Sequence, residues 1–269
     1  MKNLSVLIVV GLILVVFSST ASANLVAHWS FDSSVDPGHD DSGNGHNGIV
    51  NGTPVTTSGQ FGGNALNFDG SGDYIDVADA PGLNPTDAIT ITAWFKADPF
   101  ALGTYAWPSL VAKYDDTQGG YDLSVQKIWE GTPQITTTVH VGPSEWITLQ
   151  ESPPTEVVLA NIWYFTAMTY DGSELKLYRA KEGEAIPSPP ISMSDSRGLA
   201  TSNSPLNIGE CPYNPGRYWD GLIDEVHIFN TALDSTVIEE LYLYNTPEPA
   251  TLLLFGLGGL ALRRKRRAK

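Results

Sequence analysis

The chain has 269 residues, with 30 acidic residues against 15 lysines and arginines and a net charge of −15. This balance disfavours binding to nucleic acid or to anionic lipid, because both are polyanions. Hydrophobic residues make up 42% of the chain and aromatic residues 10%, which excludes an intrinsically disordered protein. A single cysteine, Cys211, excludes an intrachain disulfide.

Residues 1–23 have the pattern of a secretory signal peptide. Lys2 gives a positive start, an apolar run covers residues 4–17, and small residues at 21–23 form a cleavage site. A retained membrane anchor is the alternative, which the small residues disfavour. Residues 24–249, which include the body of the chain, hold all 30 acidic residues but only 8 basic ones, so this part has a net charge of −22.

Short strand-like runs separated by turns fill this body. In residues 88–97 apolar and polar side chains alternate, which places one set on a core face. Turns rich in Gly and Asp, such as 69–72 and 171–173, separate the runs. His28 and His227 lie among alternating apolar residues and are expected to pack on a sheet. Many such runs predict an antiparallel all-β sandwich or barrel. The predicted strands cover residues 25–31, 64–68, 73–77, 88–97, 109–114, 121–126, 134–141, 161–170, 174–180, 205–209 and 222–229.

One helix is expected near the end of the body, over residues 234–244. Asp234 or Ser235 can cap its first turn, and the apolar residues that follow repeat at helical spacing. The Pro- and Ser-rich segment 181–198 is expected to be a long loop.

The end of the chain has a different pattern, which opens with Pro247, Glu248 and Pro249. The mainly apolar residues 250–262 are short for a membrane span, which needs about 20 residues. The basic residues 263–267 would stay on the cytoplasmic side and leave the acidic body outside. An ordinary C-terminal anchor is the alternative, and it would need a longer apolar helix.

This ending, residues 246–269, is similar to the PEP-CTERM sorting signal of Gram-negative bacteria. The resemblance implies recognition by an exosortase and removal of the tail. It also implies transient inner-membrane association, followed by release or attachment at the cell surface in an exopolysaccharide setting.

The body, residues 24–245, resembles the LamG-like or concanavalin A-like jelly-roll domain. The resemblance implies an all-β, two-sheet antiparallel sandwich of about a dozen strands, with adjacent first and last strands and one short C-terminal helix packed outside. The stretches that carry it are HWSFD (28–32), DDSGNGHNG (40–48), GQFGGNALNFDGSGDYIDV (59–77), AITITAWFKA (88–97), NIWYFTAMTYDGSELKLYRA (161–180), PLNIGE (205–210) and DGLIDEVHIFNTALDSTVIEELY (220–242).

An oxygen-rich cluster is a candidate site for structural calcium. Ca²⁺ prefers six to eight oxygen ligands, which loops rich in Asp, Asn and Gly supply. The alternative is a tight turn in which the side chains of 40–48 bond their own backbone. Zinc is disfavoured at this loop, because His46 alone does not make a zinc site. By resemblance to calcium-binding jelly rolls, the expected ligands besides backbone oxygens are Asp32, Asp41, Asn44 and Asp224.

Related folds include laminarinase-type glycoside hydrolases, which need an E-x-D-x-x-E strand to bring two carboxylates about 5 Å apart. The sequence has no such pattern. The stretch most similar to this pattern contains Asp220, Asp224 and Glu225. Strand alternation predicts that Asp224 and Glu225 lie on opposite faces of the strand, with Glu225 exposed. We therefore expect no catalytic residues, and a carboxylate pair across a groove would favour a hydrolase instead.

Aromatic residues in loop-like stretches favour a binding function. Aromatic faces stack on sugars, while carboxylates and amides bond their hydroxyls. The expected partner is an extracellular polysaccharide or glycoprotein. The alternative is a structural or adhesive matrix protein without a sugar site, which buried loop tryptophans would favour. The candidate ligand-binding residues are Trp107, Trp129, Tyr213 and Trp219.

Overall fold

The computed structural model describes residues 25–99, 107–128, 132–150 and 157–244. They form two antiparallel β-sheets and one α-helix, which confirms the predicted all-β sandwich with a short C-terminal helix. A short 3-10 helix covers Pro81–Leu83. The strands and the helix are β1 (Leu25–Trp29), β2 (Ile49–Asn51), β3 (Val55–Ser58), β4 (Asn64–Asp69), β5 (Tyr74–Val77), β6 (Ile89–Ala97), β7 (Ser109–Asp115), β8 (Gly119–Ile128), β9 (Thr132–Gly142), β10 (Glu145–Leu149), β11 (Trp163–Tyr170), β12 (Glu174–Lys181), β13 (Ile191–Ser194), β14 (Leu206–Ile208), β15 (Asp220–Phe229) and α1 (Ser235–Tyr244).

The strands divide into an eight-stranded and a seven-stranded sheet. The eight-stranded sheet has the order β13-β12-β11-β6-β15-β4-β3, and β1 pairs with β15 beside this path. The seven-stranded sheet has the order β10-β9-β8-β7-β14-β5-β2. The pairing of β1 with β15 confirms that the first and last strands of the domain are neighbours.

The main core lies between the two sheets and follows the strand alternation. In β6, Ile91 and Phe95 belong to this core, whereas Trp94 packs on the opposite face of the same strand. Fully burying a large apolar side chain contributes about 1.5–3 kcal/mol. Because the only cysteine, Cys211, is a free thiol, this packing stabilises the domain without a disulfide.

The helix α1 covers the outer face of the eight-stranded sheet. One carboxylate oxygen of Asp234 accepts the backbone N–H groups of Thr236 at 2.9 Å and Val237 at 3.0 Å, which caps the first turn. The ring of Tyr242 stacks on Trp94 with 5.3 Å between centroids. The predicted helix and its external packing are thus confirmed.

Four described strands were not predicted, namely β2, β3, β10 and β13. Each forms an edge of a sheet. The strand β13 falls within the segment 181–198, so the prediction of a continuous loop there is wrong. These edge strands have only three to five residues, and β3 is mostly polar, so the sequence carries little apolar pattern by which to recognise them.

Candidate ligand-binding groove

A groove of about 290 Å³ lies on the outer face of the seven-stranded sheet. In β8, Leu123 faces the core, so that Asp122 and Ser124 point outward. The same alternation turns polar residues of β9 and β10 to this face. The sheet therefore supplies a polar floor, to which Tyr114, Asp122, Gln126, Thr138, His140 and Thr148 contribute.

Two tryptophans flank this floor. Trp107 lies just before β7 and is 48% exposed, whereas Trp146 lies in β10 and is 51% exposed. Because β8 and β9 run between these two strands, the strands are roughly 14 Å apart. The guanidinium of Arg217 covers the Trp107 ring, and Trp146 contacts the His140 ring at 6.0 Å between centroids. Two indole rings are thus accessible on the rims of the groove.

The floor holds polar atoms without protein partners. The Asp122 carboxylate accepts the Ser124 hydroxyl at 2.7 Å, while its Oδ1 has no hydrogen-bond partner among the described residues. Burial raises the pKa of Asp122 to about 6. His140 stacks on Tyr114 at 4.7 Å, and its Nδ1 is likewise unpartnered within the described ranges. Burial lowers the pKa of His140, which favours the neutral ring. Both atoms are buried beneath the surface of the groove, so a ligand hydroxyl would bond to them only after neighbouring side chains move.

The loop at residues 209–219 crosses the same face of the sheet. The Cys211 thiol donates to the Tyr114 hydroxyl oxygen at 3.0 Å, and the Asn214 amide donates to the same oxygen at 3.3 Å. The Tyr213 ring lies 5.8 Å from the Tyr114 ring and is 38% exposed. The loop is thus anchored on β7 beside the groove.

The four predicted ligand-binding residues have different positions. Trp107 lines the groove and Tyr213 lies beside it, whereas Trp129 lies outside the described residues. Trp219 is fully buried and packs edge-on against Phe95 at 5.5 Å between ring centroids. Trp219 is therefore a core residue, which corrects the prediction of a ligand contact there.

The sequence interpretation did not select three ring-bearing residues of the groove, namely Tyr114, His140 and Trp146, although Trp146 was among the aromatic residues in loop-like stretches. Trp146 precedes Ile147, which is buried in the core, so strand alternation places the indole on the outer face. That signal was available in the sequence. What was missing was the pairing of β10 with β9, which brings Trp146 beside His140.

Two of the predicted calcium ligands, Asp32 and Asp224, border the turn at residues 59–64. Asp32 Oδ1 accepts the N–H of Asn64 at 2.7 Å, and Asp224 Oδ2 accepts the N–H of Gln60 at 2.8 Å. Asp224 Oδ1 is buried without a partner among the described residues. Burial raises the pKa of Asp224 to about 8, and the negative charges of Glu225 and Asp32 contribute to this increase. Calcium binding by these two carboxylates stays a prediction.

The other two predicted ligands, Asp41 and Asn44, bond to the chain around them. Asp41 accepts the hydroxyl of Ser30 at 2.7 Å, and the Asn44 amide donates to two carbonyl groups of β1 at 2.9 Å each. The neighbouring Asp40 carboxylate accepts three backbone N–H groups. The bonds of Asp40 to Ser42 and His46 match the tight-turn alternative for residues 40–48, whereas the bonds of Asp41 and Asn44 reach Ser30 and β1.

The position of Glu225 differs from the prediction. A bulge in β15 between Asp224 and His227 breaks the alternation, and Glu225 has a positive φ of 51°. Its carboxylate is buried and lies 2.7 Å from Nε2 of His28. The prediction of an exposed acid is therefore wrong, whereas the expected packing of His28 and His227 on the sheet is confirmed.

Sequence comparison places the domain in a family. The family model Laminin_G_3, described as the concanavalin A-like lectin/glucanases superfamily, matches residues 69–239. The chain belongs to this superfamily. A sequence search of curated proteins finds no match.

A second model, the PEP-CTERM protein-sorting motif, matches residues 245–267. This motif indicates that the concanavalin A-like protein is exported and sorted to the cell surface. Within the part of the chain that the structure describes, no helix has the length and hydropathy of a membrane span.

Solved structures share the jelly-roll fold at low sequence identity. The binding domain of Paraclostridial Mosquitocidal Protein 1 has a TM-score of 0.63 at 19% identity, over 81% of this chain and 52% of that one. The ligand binding domain of botulinum neurotoxin serotype D in complex with N-acetylneuraminic acid has a TM-score of 0.54 at 17% identity, over 76% and 47%. The concanavalin A-like chain spans about half the length of these matched chains.

Proposed function

We propose that the domain binds glycans in the groove of the seven-stranded sheet. The observation that carries this proposal is the pair of half-exposed indoles, Trp107 and Trp146, on the rims of a polar floor. Aromatic faces stack on the C–H faces of sugar rings, and polar side chains bond the hydroxyl groups. Asp116, Gln126 and Thr148 line the groove, are partly exposed and provide such groups.

The charges of the groove favour a neutral glycan over a polyanionic one. Asp116 and Asp122 line the groove, and Arg217, the one arginine among its described lining residues, lies over Trp107. Residues 24–249 carry a net charge of −22. A sulfated or uronate-rich polymer is therefore repelled over long range.

The partner we infer is an extracellular polysaccharide or glycoprotein. The PEP-CTERM motif supports processing by an exosortase and a location at the surface or in the matrix of a Gram-negative bacterium. The likeness to a toxin domain crystallised with N-acetylneuraminic acid supports a glycan as the ligand class.

A glycan array probed with residues 24–246, which include every described strand, tests this function. We expect selective binding to a few neutral glycans, followed by titration calorimetry on the best of them. Trp107→Ala and Trp146→Ala should each weaken binding about tenfold, since loss of a stacked ring costs roughly 1 kcal/mol or more. The control is Phe61→Ala, which removes a 40% exposed ring beside Trp94 of the other sheet.

Two results would contradict the proposal that glycans bind in this groove. Selective binding that survives both tryptophan substitutions would place the glycan elsewhere on the domain. A blank array from folded protein would favour the structural or adhesive alternative, in which the groove has no specific sugar ligand.

Glycoside hydrolysis is a second candidate, which the chemistry of Asp122 favours. Asp122 and Asp116 both line the groove, and a carboxyl group with a pKa of about 6 suits proton donation near neutral pH. Incubation of a bound glycan with the protein, followed by measurement of new reducing ends, tests it. Activity that is lost in Asp122→Asn, with binding retained, would support hydrolysis. If no new reducing ends form, glycan binding without hydrolysis is the function that remains supported.

A further inference from the structure

Three side chains that can bind a metal meet on the outer face of the eight-stranded sheet, away from the groove. Trp29 of β1 and Val226 of β15 face the core, so the adjacent residues His28 and His227 face outward. These two histidines are directly opposite each other in the β1–β15 pair. Glu225 lies two residues before His227 on the same strand, and the bulge in β15 directs its carboxylate to His28.

The three groups form a compact and buried set. Glu225 Oε2 lies 2.7 Å from His28 Nε2, and the two imidazole rings stack with 4.0 Å between their centroids. One nitrogen or oxygen atom from each residue lies within 4.8 Å of the other two. His28, Glu225 and His227 are 7%, 6% and 1% exposed.

One nitrogen of this set is prepared to accept a metal. His227 Nδ1 lies 3.0 Å from the carbonyl oxygen of Glu225 and 3.3 Å from the hydroxyl of Thr92. An Nδ1–H that donates to the carbonyl leaves the lone pair on Nε2. That Nε2 is buried and has no hydrogen-bond partner among the described residues. Metal-binding histidines commonly hold their other nitrogen against a backbone carbonyl in this way.

We infer that His28, Glu225 and His227 bind one divalent cation of the zinc type. Two imidazoles and one carboxylate suit Zn²⁺ and its first-row neighbours, whereas Ca²⁺ prefers oxygen ligands only. This site is separate from the oxygen-rich position of Asp32 and Asp224, and it does not depend on glycan binding.

Binding requires a small change in ring orientation. The two imidazole planes are 10° from parallel, and a metal lies near the plane of each ring that binds it. One ring therefore turns about its χ2 angle, and the metal replaces the contact between His28 and Glu225.

Titration of untagged residues 24–246 with Zn²⁺, after dialysis against a chelator, tests the inference. We expect one bound equivalent with a dissociation constant in the micromolar range or below, and visible absorption when Co²⁺ is used as the probe. His28→Gln and His227→Gln should each weaken binding about 100-fold or more, which corresponds to loss of a metal ligand. His39→Gln is the matched control, because that imidazole is 51% exposed and lies outside the set.

Each outcome decides for or against the site. Absence of Zn²⁺ binding by the folded protein, or binding that persists in both histidine variants, overturns the inference. Circular dichroism shows whether the variants are folded. If a histidine variant does not fold, Glu225→Gln becomes the deciding variant, because glutamine keeps the size of the side chain and its ability to form hydrogen bonds. Unchanged affinity in Glu225→Gln would then overturn the inference, and a clear loss supports it.

Discussion

The guanidinium carbon of Arg217 lies over the indole of Trp107, 4.6 Å from the ring centroid. Arg217 comes from the loop anchored on Tyr114, whereas Trp107 lies just before β7, so the contact joins two segments at the groove rim. A cation–π pair at an exposed site contributes on the order of 0.5–1 kcal/mol. The arginine thus holds one face of the ring and leaves the other for a ligand.

Arg217→Ala should weaken glycan binding about threefold, since it removes this contact and lets the indole rotate. Arg217→Lys keeps the charge and should recover part of the loss. Titration calorimetry measures both, with Lys176→Ala on β12 as a control outside the groove. Unchanged affinity in Arg217→Ala would show that Trp107 needs no such support.

Trp219 and Trp146 should respond in opposite ways to substitution. Trp219→Phe removes part of a fully buried ring and should lower the free energy of unfolding by about 2 kcal/mol. Its effect on glycan affinity should be small. Trp146→Ala should weaken glycan binding without a comparable loss of stability, because the ring is half-exposed. Urea unfolding and calorimetry separate the two effects. A loss of affinity in folded Trp219→Phe would restore it as a groove residue.

Strand alternation made the interior of both sheets predictable from the sequence. Every strand predicted from an apolar pattern is present, including β6, where Ile91 and Phe95 enter the core. The four missed strands are sheet edges of three to five residues, which are too short for a clear period, although β10 alternates Trp146 and Thr148 with Ile147 and Leu149.

The sites were less predictable, because they depend on which strands pair. The groove combines β7 to β10 with a distant loop, and no local pattern brings Trp107 to Arg217. A one-residue bulge moves Glu225 from an expected exposed position to a buried one beside His28. Such a bulge reverses the face of a side chain and leaves no mark in the apolar pattern.

Calcium should stabilise the domain if Asp32 and Asp224 bind it. Ca²⁺ at about 100 times its dissociation constant would add roughly 2.7 kcal/mol, or about 5–10 °C in melting temperature for a domain of this size. Asp32→Asn and Asp224→Asn should abolish the shift, whereas Asp36→Asn, an exposed acid nearby, should retain it. Melting curves in millimolar calcium and in chelator measure this. Identical curves for the wild type in both buffers would exclude a structural calcium.

Among the basic residues in the described part of the chain, the buried Lys113 should be the one whose substitution lowers the free energy of unfolding most. Its ammonium group donates to Asp79 at 2.7 Å and to the carbonyl oxygens of Ser202 at 2.6 Å and Ser204 at 2.8 Å. Lys113→Met leaves these acceptors without their donor and should lower the free energy of unfolding by about 3 kcal/mol. Lys176→Met breaks a partly exposed ion pair and should change it by about 0.5 kcal/mol or less.

Denaturant unfolding of the two lysine variants at neutral pH makes this comparison. Equal losses for Lys113→Met and Lys176→Met would mean that the loops bonded by Lys113 are held by other contacts.

Asp122 should make the stability of the domain depend on pH. Its pKa in the folded protein is about 6 and its ordinary value is 3.8, so between these values the folded protein holds a proton that the unfolded chain has released. The contribution of Asp122 to the free energy of unfolding therefore falls as pH rises from about 4 to 6, and it stays low above pH 6. The difference is on the order of 2–3 kcal/mol.

Asp122→Asn removes this titration and should be more stable than the wild type at pH 8 by about 2 kcal/mol, with little difference near pH 4. Urea unfolding between pH 4 and pH 8 measures both curves. Asp36→Asn removes the same charge at an exposed position and serves as the control for the general effect of acidity. If the curves of Asp122→Asn and the wild type stay parallel over this range, Asp122 is ionised in the folded protein throughout. A ligand in the groove would then meet a permanent charge, which favours hydroxyl recognition over proton donation by this residue.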